Sequence, residues 1–421
     1  SGEYEGLPDK LARPEWKPDF GPAAFNARAG ATAVGARDFL VAFNVNLNTT
    51  STRRANSVAF DVRERGRPLR EGHPITGKIV KDEQGNTVMV PGSLKSVKAI
   101  GWFIEEYDIA QISMNLTNIS VTPVHVAFDE VCRKADARGL RVTGSELVGV
   151  IPLHAMLEAG KYFLRKQERS VGVSDEELIK IAVKSMGLDE LGPFNPREKI
   201  IEYILEDKGA HPLVSMDLRA FANETASESP APGGGSIAAY AGALGVSLAT
   251  MVANLSSHKR GWDERWEEFS IWAERGQQLK DRLLALVDED TRAFNRIMEA
   301  FGLPKGTDHE KAMRHQAVQE ASQYAMQVPS QVMQLSLESM KVIRAMAESG
   351  NPNSVSDAGV GALCARTAVY GAWLNVKINA GGVGDKEFVA ELLRKGEEML
   401  REAQSAEQEI LDVVMKKIHA A

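Results

Sequence analysis

The sequence has 421 residues, of which 43% are hydrophobic and 25% are charged, and its formal net charge is −7 at pH 7. This length and composition predict two or three globular domains with large cores, and the acidic balance argues against nucleic acid as a partner. The two cysteines, Cys132 and Cys364, are too few for a disulfide framework and indicate reduced thiols in a cytoplasmic protein. The eight histidines are scattered, so no metal site is expected.

The first half of the chain alternates strand and helix signals. In chain order, the patterns predict a strand at 39–47 and a helix at 51–65. They are followed by a long polar connection at 66–96, called the polar excursion here, which has room for a hairpin. Strands at 97–105 and 109–117, a helix at 123–138 and a strand at 146–151 complete the set. This β-α-β-β-α-β order is the split-βαβ or ferredoxin-like unit, in which both helices cover one face of a four-stranded sheet. With helices at 153–165, 175–185 and 196–206, we predict an α+β subdomain over residues 1–206.

Alternation within two of these strands separates an apolar face of the sheet from a polar one. Gln111, Ser113 and Asn115 share one face of their strand, and Asn44 and Asn46 share one face of the first strand. A neutral, amide-rich face suits a heterocycle that offers both donors and acceptors. A solvated sheet face is the alternative explanation of the same pattern.

The second half of the chain carries helix signals alone. A polar stretch at 207–215 predicts a linker, and the region 216–421 predicts an all-α bundle with helices at 217–225, 236–257, 262–301, 308–349, 354–380 and 385–421. The pattern at 236–257 is long enough to cross a membrane, but its polar residues and its few large aliphatic side chains argue against membrane insertion.

The turn before that long helix, at 230–236, has the sequence PAPGGGS. Three consecutive glycines allow the backbone to approach a ligand closely. The start of the helix then offers unpaired N–H groups and a positive dipole end, with Ser236 as the predicted N-cap. A plain linker is the alternative.

A series of short motifs runs along the whole chain. They are GEYE at 2–5, PDFGP at 18–22, GAT at 30–32, GAR at 35–37, FNVNL at 43–47, GW at 101–102, GSELVG at 144–149, IIEY at 200–203, APGGGS at 231–236, VDED at 287–290 and NVKIN at 375–379. In this order they resemble the formimidoyltransferase-cyclodeaminase family, the bifunctional enzymes of histidine breakdown, across nearly the full length of the sequence.

This resemblance implies two folate-dependent reactions. The family's transferase moves a formimino group from N-formimino-L-glutamate to tetrahydrofolate, and its cyclodeaminase closes the 5-formimino product to 5,10-methenyltetrahydrofolate with release of ammonia. The resemblance also implies folate polyglutamates as substrates, tetrahydrofolate as the carrier without a metal, and a ring-shaped homo-octamer built from dimers. A methenyltetrahydrofolate cyclohydrolase and a folate-binding subunit that needs a separate N-terminal chain are the alternatives.

The resemblance assigns roles to particular residues. Asp290 matches the family's catalytic aspartate, and it lies four residues after Leu286, on an apolar helical stripe where a carboxyl should have a raised pKa; a solvated acidic patch is the alternative. The transferase's folate contact matches Gly21, Pro22, Ala23, Ala24, Phe25, Asn26, Ala27, Arg28, Ala29 and Gly30.

Further residues are candidates for binding the cyclodeaminase substrate. They are Gly233, Gly234, Gly235, Ser236, Lys259, Arg260 and Asn375. Lys259 and Arg260 can hold the anionic glutamate tail of folate or simply complement the C-terminus of a helix. Asn375 lies one helical turn from Asn379 on an otherwise apolar helix, where a buried amide needs a partner.

One departure from the family's pattern concerns the start of the chain. The family's transferase begins with another subdomain, whose catalytic histidine lies in a Gly-Glu-His-Pro-Arg-Met-Gly segment, and the sequence does not contain that segment. His73 superficially matches it but falls in the polar excursion. We therefore expect the chain to lack the N-terminal transferase subdomain, through cleavage or because another chain supplies it, and to need that subdomain for formimino transfer.

Overall fold

The computed structural model describes residues 6–36, 38–73, 76–206, 209 and 212–420. The chain divides into two compact units, Ser1–Leu40 and Val41–Ala421. In its described part, the first unit has one short helix, α1 (Leu7–Leu11), and one turn of 3₁₀-helix at Pro14–Trp16. The Lys10 ammonium lies 4.7 Å from the ring centroid of Trp16 and ties these two elements together.

The second unit begins with a four-stranded antiparallel sheet. Its strands are β1 (Val41–Leu47), β4 (Val97–Ile104), β5 (Ile109–Leu116) and β6 (Val142–Val148), and a two-stranded hairpin of β2 (Arg67–Pro68) and β3 (Met89–Val90) lies in the polar excursion. The order across the sheet is β4-β5-β1-β6, with antiparallel pairing throughout. The last strand begins earlier than predicted, because a register shift at Asn46 lets Val142 pair with the end of β1.

Two helices, α2 (Thr52–Val62) and α3 (Val124–Asp136), pack on one face of this sheet. The side chain of Ser51 caps α2 by accepting the N–H of Arg54, and Pro123 precedes the first residue of α3. Phe43, Ile112 and Met114 point from the sheet into the core beneath the helices and are almost fully buried. Each such side chain contributes roughly 1.5–3 kcal/mol to folding.

Four helices follow the sheet: α4 (Leu153–Lys166), α5 (Asp175–Met186), α6 (Pro196–Lys199) and α7 (Ile201–Leu205). The single helix predicted at 196–206 is therefore wrong. It is interrupted at Ile200, whose extended backbone forms a parallel bridge with Ile151 next to the sheet. Ile200 is fully buried there, so tertiary packing overrides the local helical pattern.

The rest of the chain is helical, as predicted. Its helices are α8 (Leu218–Thr225), α9 (Gly234–Ser257), α10 (Trp266–Gly302), α11 (Asp308–Ser349), α12 (Val355–Asn379) and α13 (Lys386–Ala420). Helix α9 packs against α10, α11 and α12. A Cβ on Gly245 would lie 2.8 Å from the carbonyl oxygen of Gly361, so only glycine permits this close approach of α9 and α12.

Helix α9 is the one helix in the described part of the chain that is long and apolar enough to cross a membrane. Of its most apolar window, 61% is buried inside the protein. Helix α9 is therefore buried to the extent expected of a helix in the middle of a bundle.

The loop between α4 and α5 joins the sheet region to the bundle. The N–H of Val171 donates to Ser270 Oγ at 2.9 Å, and the carbonyl oxygen of Gly172 accepts from the side-chain amides of Asn254 (2.8 Å) and Gln277 (3.2 Å). A Cβ on Gly172 would lie 2.2 Å from Ala273 Cβ. The loop therefore fits closely between α9 and α10.

Candidate active site

Asp290, in the middle of α10, meets the first turn of α9. Its Oδ2 accepts the backbone N–H of Ser236 at 2.9 Å and the hydroxyl of Ser236 at 3.2 Å. Ser236 Oγ also lies 2.8 Å from the carbonyl oxygen of Val287, one turn earlier in α10. A fully buried serine thus fixes the position of a half-buried carboxyl group.

The glycine turn makes this contact possible. A Cβ on Gly235 would lie 2.1 Å from Asp290 Oδ1, a distance that no side chain tolerates. A Cβ on Gly234 would lie 3.4 Å from Asn375 Nδ2, which is an ordinary contact. Gly235 is therefore required for the approach of Asp290, and Gly234 lies against Asn375.

Ser236 is not the N-cap of α9, contrary to the prediction. The helix begins at Gly234, its N-cap is Gly233, and no side chain caps it. Ser236 is the third helical residue, so its N–H cannot bond within the helix. The Asp290 carboxylate accepts this N–H from a neighbouring helix. A local sequence pattern does not show a partner on another helix, and it therefore suggested a different role for the serine.

Burial raises the pKa of Asp290 above its ordinary value of 3.8, while the two hydrogen bonds from Ser236 lower it in part. The net direction is upward. The carboxyl is thereby closer to exchanging protons near neutral pH than a solvated aspartate would be.

The two acidic neighbours of Asp290 have other partners. Asp288 is buried and accepts the backbone N–H groups of Leu213 (2.9 Å) and Val214 (3.4 Å), so it holds the segment before α8. Glu289 pairs with Arg292 at 2.6 Å and accepts the hydroxyl of Tyr324 on α11. Although burial raises the pKa of Glu289, the hydrogen bonds from Tyr324 and Arg292 outweigh it and hold that pKa below the ordinary value.

The two asparagines of α12 also differ. Asn379 Nδ2 donates to the carbonyl oxygen of Ala325 at 2.7 Å and so ties α12 to α11. Asn375 Nδ2 donates to Gly371 within its own helix at 2.9 Å. Asn375 faces the glycine turn and is the asparagine that belongs to the site.

Lys259 and Arg260 are not brought to this site within one chain. They follow the C-terminal end of α9, whose 24 residues span about 36 Å at a rise of 1.5 Å per residue. The Lys259 ammonium lies 4.0 Å from the ring centroid of Trp262. The structure thus separates these cations from Asp290 by the length of the helix.

The predicted folate segment at 21–30 is a loop in the first unit. Asn26 Oδ1 accepts the N–H groups of Arg28 (2.9 Å) and Ala29 (3.0 Å), which makes a tight turn. Gly21 and Gly30, at the two ends of the loop, have positive φ angles of 84° and 63°. Phe25 is half-buried, whereas the residues around it are exposed.

The polar face of the sheet differs from its prediction in one respect. Asn46 and Gln111 are 0% exposed, so this part of the face is not solvated. Contrary to the prediction, the face is not neutral, because Glu146 on β6 and Glu190 after α5 place carboxylates against these amides. The pattern of two strands could not indicate acids that come from β6 and from a later turn.

No group of three or more histidine, cysteine, aspartate or glutamate side chains suited to a metal ion occurs in the described part of the chain. Cys132 and Cys364 are both half-buried free thiols, and burial raises the pKa of Cys132 to about 11. Neither sulfur is a reactive thiolate at neutral pH.

Comparison with known proteins gives matches to three family profiles along the chain. "Formiminotransferase domain, N-terminal subdomain" matches residues 1–37, "Formiminotransferase domain" matches 42–206, and "Formiminotransferase-cyclodeaminase" matches 217–398. The expectation that the chain lacks the N-terminal transferase subdomain is therefore wrong.

Several curated relatives match as well. The formimidoyltransferase-cyclodeaminase of Gallus gallus is 40% identical over 421 residues, which are 99% of this chain and 73% of that protein. The methenyltetrahydrofolate cyclohydrolase of Methylorubrum extorquens is 37% identical over 202 residues, 48% of this chain and 97% of its own length. The glutamate formimidoyltransferase of Thermoplasma acidophilum is 36% identical over 163 residues, 39% of this chain and 45% of its own.

Proposed function

This chain belongs to the formimidoyltransferase-cyclodeaminase family, and we propose on this basis that it is a bifunctional folate enzyme of histidine degradation. Its helical domain converts 5-formimidoyltetrahydrofolate to 5,10-methenyltetrahydrofolate and ammonia. Its first half takes part in formimino transfer from N-formimino-L-glutamate to tetrahydrofolate. The observation that carries the cyclodeaminase proposal is the Asp290 carboxyl held at the first turn of α9 by Ser236.

The chemistry of ring closure needs one proton to change place. The folate N10 attacks the carbon of the protonated formimino group, whose C=N double bond opens, and the new C–N bond gives a tetrahedral centre that carries an amino group. N10 must lose its proton and the amino nitrogen must gain one before the C–N bond to ammonia breaks. A single carboxyl with a raised pKa can accept the first proton and donate the second, and we assign this role to Asp290.

Around Asp290, the substrate-binding groups are Gly233, Gly234, Gly235, Ser236 and Asn375. The N–H groups of Gly234 and Gly235 lie in the first turn of α9, where intrahelical bonding leaves them unused. They suit a heterocycle oxygen or another acceptor. The amide of Asn375 then offers both a donor and an acceptor on the other side of the turn.

For the first half we propose a ferredoxin-like subdomain within residues 1–206, a linker at 207–215 and the cyclodeaminase domain at 216–421. The β4-β5-β1-β6 order and the two helices on one face support the ferredoxin-like assignment. The profile matches at 42–206 and 217–398 support the boundaries. We assign the folate contact of the transferase to the loop at 21–30, and we propose a cytoplasmic location.

We also propose a homo-oligomer in which two copies pack through α9 and α12. Large apolar side chains on these two helices are exposed: Ile237, Leu244, Met251, Leu255, Val360, Leu363, Tyr370, Leu374 and Ile378. Helix α9 has no charged residue at all. Exposed apolar side chains on two helices that pack against each other are typical of a protein–protein interface. The octameric ring implied by the family resemblance remains part of this proposal.

One experiment separates the proposed reaction from its alternatives. Ammonia release from 5-formimidoyltetrahydrofolate is measured for the wild type, Asp290→Asn and Asp281→Asn. The last variant is the matched control, because Asp281 is an exposed residue of the same helix. We expect Asp290→Asn to lose at least about 100-fold in turnover, the usual scale of general acid–base catalysis, while substrate still binds.

Near-normal turnover of Asp290→Asn would contradict the assignment. The cyclohydrolase alternative has its own support in the match to the Methylorubrum extorquens enzyme. It predicts that the wild type hydrolyses methenyltetrahydrofolate without releasing ammonia from the formimidoyl substrate.

A further inference from the structure

The polar face of the β-sheet carries a row of hydrogen-bonded side chains outside the site around Asp290. Trp102 Nε1 donates to Gln111 Oε1 at 3.3 Å, and Gln111 Nε2 donates to Asn46 Oδ1 at 2.7 Å. Asn46 Nδ2 in turn donates to Glu190 Oε2 at 2.6 Å. These bonds fix the amides of the row in one orientation.

Glu146 is the member of this face with unused bonding capacity. Asn44 Nδ2 and Gln111 Nε2 both donate to its Oε2, each at 3.3 Å. Its Oε1 has no hydrogen-bond or ion-pair partner among the residues that the structure describes. The side chain is half-buried between these buried amides. One oxygen is held in place and the other is free to accept a ligand.

In the parts of the chain that the structure describes, no cation forms an ion pair with Glu146. Its neighbours across the sheet are Asn44, Ser113 and Ile100, in register with it on the adjoining strands. Further negative charge lies at the β4–β5 turn, where Glu106 and then Glu146 raise the pKa of the Tyr107 hydroxyl. A half-buried carboxylate without a counter-charge costs free energy, and a cationic donor on a ligand removes that cost.

The shape of the face beside Glu146 suits a flat group. Trp102 is 43% exposed and its indole is oriented by Gln111. Two residues further along the same strand as Gln111, the small Ser113 pairs with Asn44, which pairs in turn with Glu146. Gly144 carries no side chain, and a Cβ there would lie 2.4 Å from Glu190 Oε2. The glycine thus keeps Glu190 close to Asn46, and Glu146 remains the acid that faces outward.

We propose that Glu146 binds a planar N–C–N group with two N–H donors, an amidine or a group of the same geometry. Oε1 accepts one N–H of this edge, and Oε2 accepts the other in place of one of its two 3.3 Å bonds from the Asn44 and Gln111 amides, which gives two parallel hydrogen bonds. The inference rests on the proposed transferase function, in which two reactants carry this chemistry: the formimino group of the amino-acid donor and the N2–C2–N3 edge of the reduced pterin. Glu146 would hold one of them beside Trp102.

The test is calorimetric titration of the full-length wild type and of Glu146→Gln. The two ligands are N-formimino-L-glutamate and tetrahydrofolate, and N-acetyl-L-glutamate is the reference, since it keeps both carboxylates but has a neutral amide in place of the amidine. Glu106→Gln is the matched control, because it removes the same charge from an exposed position on the β4–β5 turn. Unfolding temperature and cyclodeaminase turnover report whether Glu146→Gln remains folded.

We expect the affinity of Glu146→Gln for one ligand to fall about tenfold or more, the scale of a charge-assisted pair, with N-acetyl-L-glutamate binding unchanged. Loss of N-formimino-L-glutamate identifies the formimino group as the bound edge, and loss of tetrahydrofolate identifies the pterin. Unchanged affinity for both ligands, or an equal loss in Glu106→Gln, would overturn the inference alone. A wild type that binds neither ligand would overturn the transferase proposal together with it.

Discussion

The carboxylate of Asp290 accepts the backbone N–H of Ser236 at 2.9 Å, which joins the middle of α10 to the first turn of α9. Of the three adjacent acids of α10, Asp288 holds the segment before α8 and Glu289 pairs with Arg292 and Tyr324. Asp290 alone points at the glycine turn. Its neighbours Gly235 and Ser236 therefore determine how its carboxyl is placed and how it titrates.

Replacement of Gly235 by alanine should displace the Asp290 carboxyl. The new Cβ would lie 2.1 Å from Asp290 Oδ1, and a displacement of about 1 Å costs on the order of 100-fold in rate. We expect that loss in cyclodeaminase kcat/KM, with a cost of roughly 1–3 kcal/mol in the free energy of unfolding. Gly302→Ala, at the last residue of α10, is the control, since nothing lies within 4 Å of its added Cβ. Equal kinetics for the two variants would contradict the proposed placement.

Removal of the Ser236 hydroxyl should shift the pH dependence of the cyclodeaminase. This hydroxyl lowers the pKa of Asp290, which burial has raised, so Ser236→Ala should raise that pKa further. The limb of the pH–rate profile that reports Asp290 then moves to higher pH. Ser247→Ala is the control, because its hydroxyl bonds to Ala243 within α9.

The sign of the accompanying stability change follows from linkage. A carboxyl whose pKa is higher in the folded state favours folding below its unfolded pKa and loses that contribution as pH rises through the folded pKa. The difference in unfolding free energy between Ser236→Ala and the wild type should therefore be larger at neutral pH than below pH 3.8. A pH–rate profile of Ser236→Ala that moves to lower pH would show that a group other than Asp290 controls the limb assigned to Asp290.

Neutralisation of Lys259 and Arg260 tests whether they bind the substrate. Because α9 separates them from Asp290 by about 36 Å, the double replacement by methionine should leave the cyclodeaminase KM within about twofold of the wild type, as for surface charges without a ligand. Asn375→Leu should raise KM by about tenfold through loss of a polar contact. Steady-state kinetics measure KM for both variants and the wild type. A large rise in KM for the lysine–arginine variant would mean that these cations reach the site of another copy.

Replacement of Gly172 by alanine should weaken the joint between the sheet region and the bundle. Its Cβ would lie 2.2 Å from Ala273 Cβ and 2.4 Å from the backbone nitrogen of Glu274. We expect a loss of roughly 1–3 kcal/mol, seen in calorimetry as a lower or divided unfolding transition. Gly192→Ala, where nothing lies within 4 Å, is the control and should unfold like the wild type. A single unshifted transition in Gly172→Ala would show that the loop does not couple the two regions.

The order of the strands and of the long helices could be predicted from the sequence, and so could two segments of the candidate site. Periodicity located the strands of the sheet and the long helices of the bundle, because alternation and helical spacing are local properties. The glycine turn and the apolar stripe of Asp290 also identified two parts of the site that the structure brings into contact.

Which of the candidate side chains meet depends on how the helices and strands pack. Ser236 was predicted to cap its own helix but bonds to another one, and Lys259 and Arg260 were grouped with it although a rigid helix holds them apart. Glu146 went unrecognised because its amide partners come from other strands. Hydrogen bonds and close approaches between residues far apart in sequence depend on packing across elements, and no local pattern encodes them.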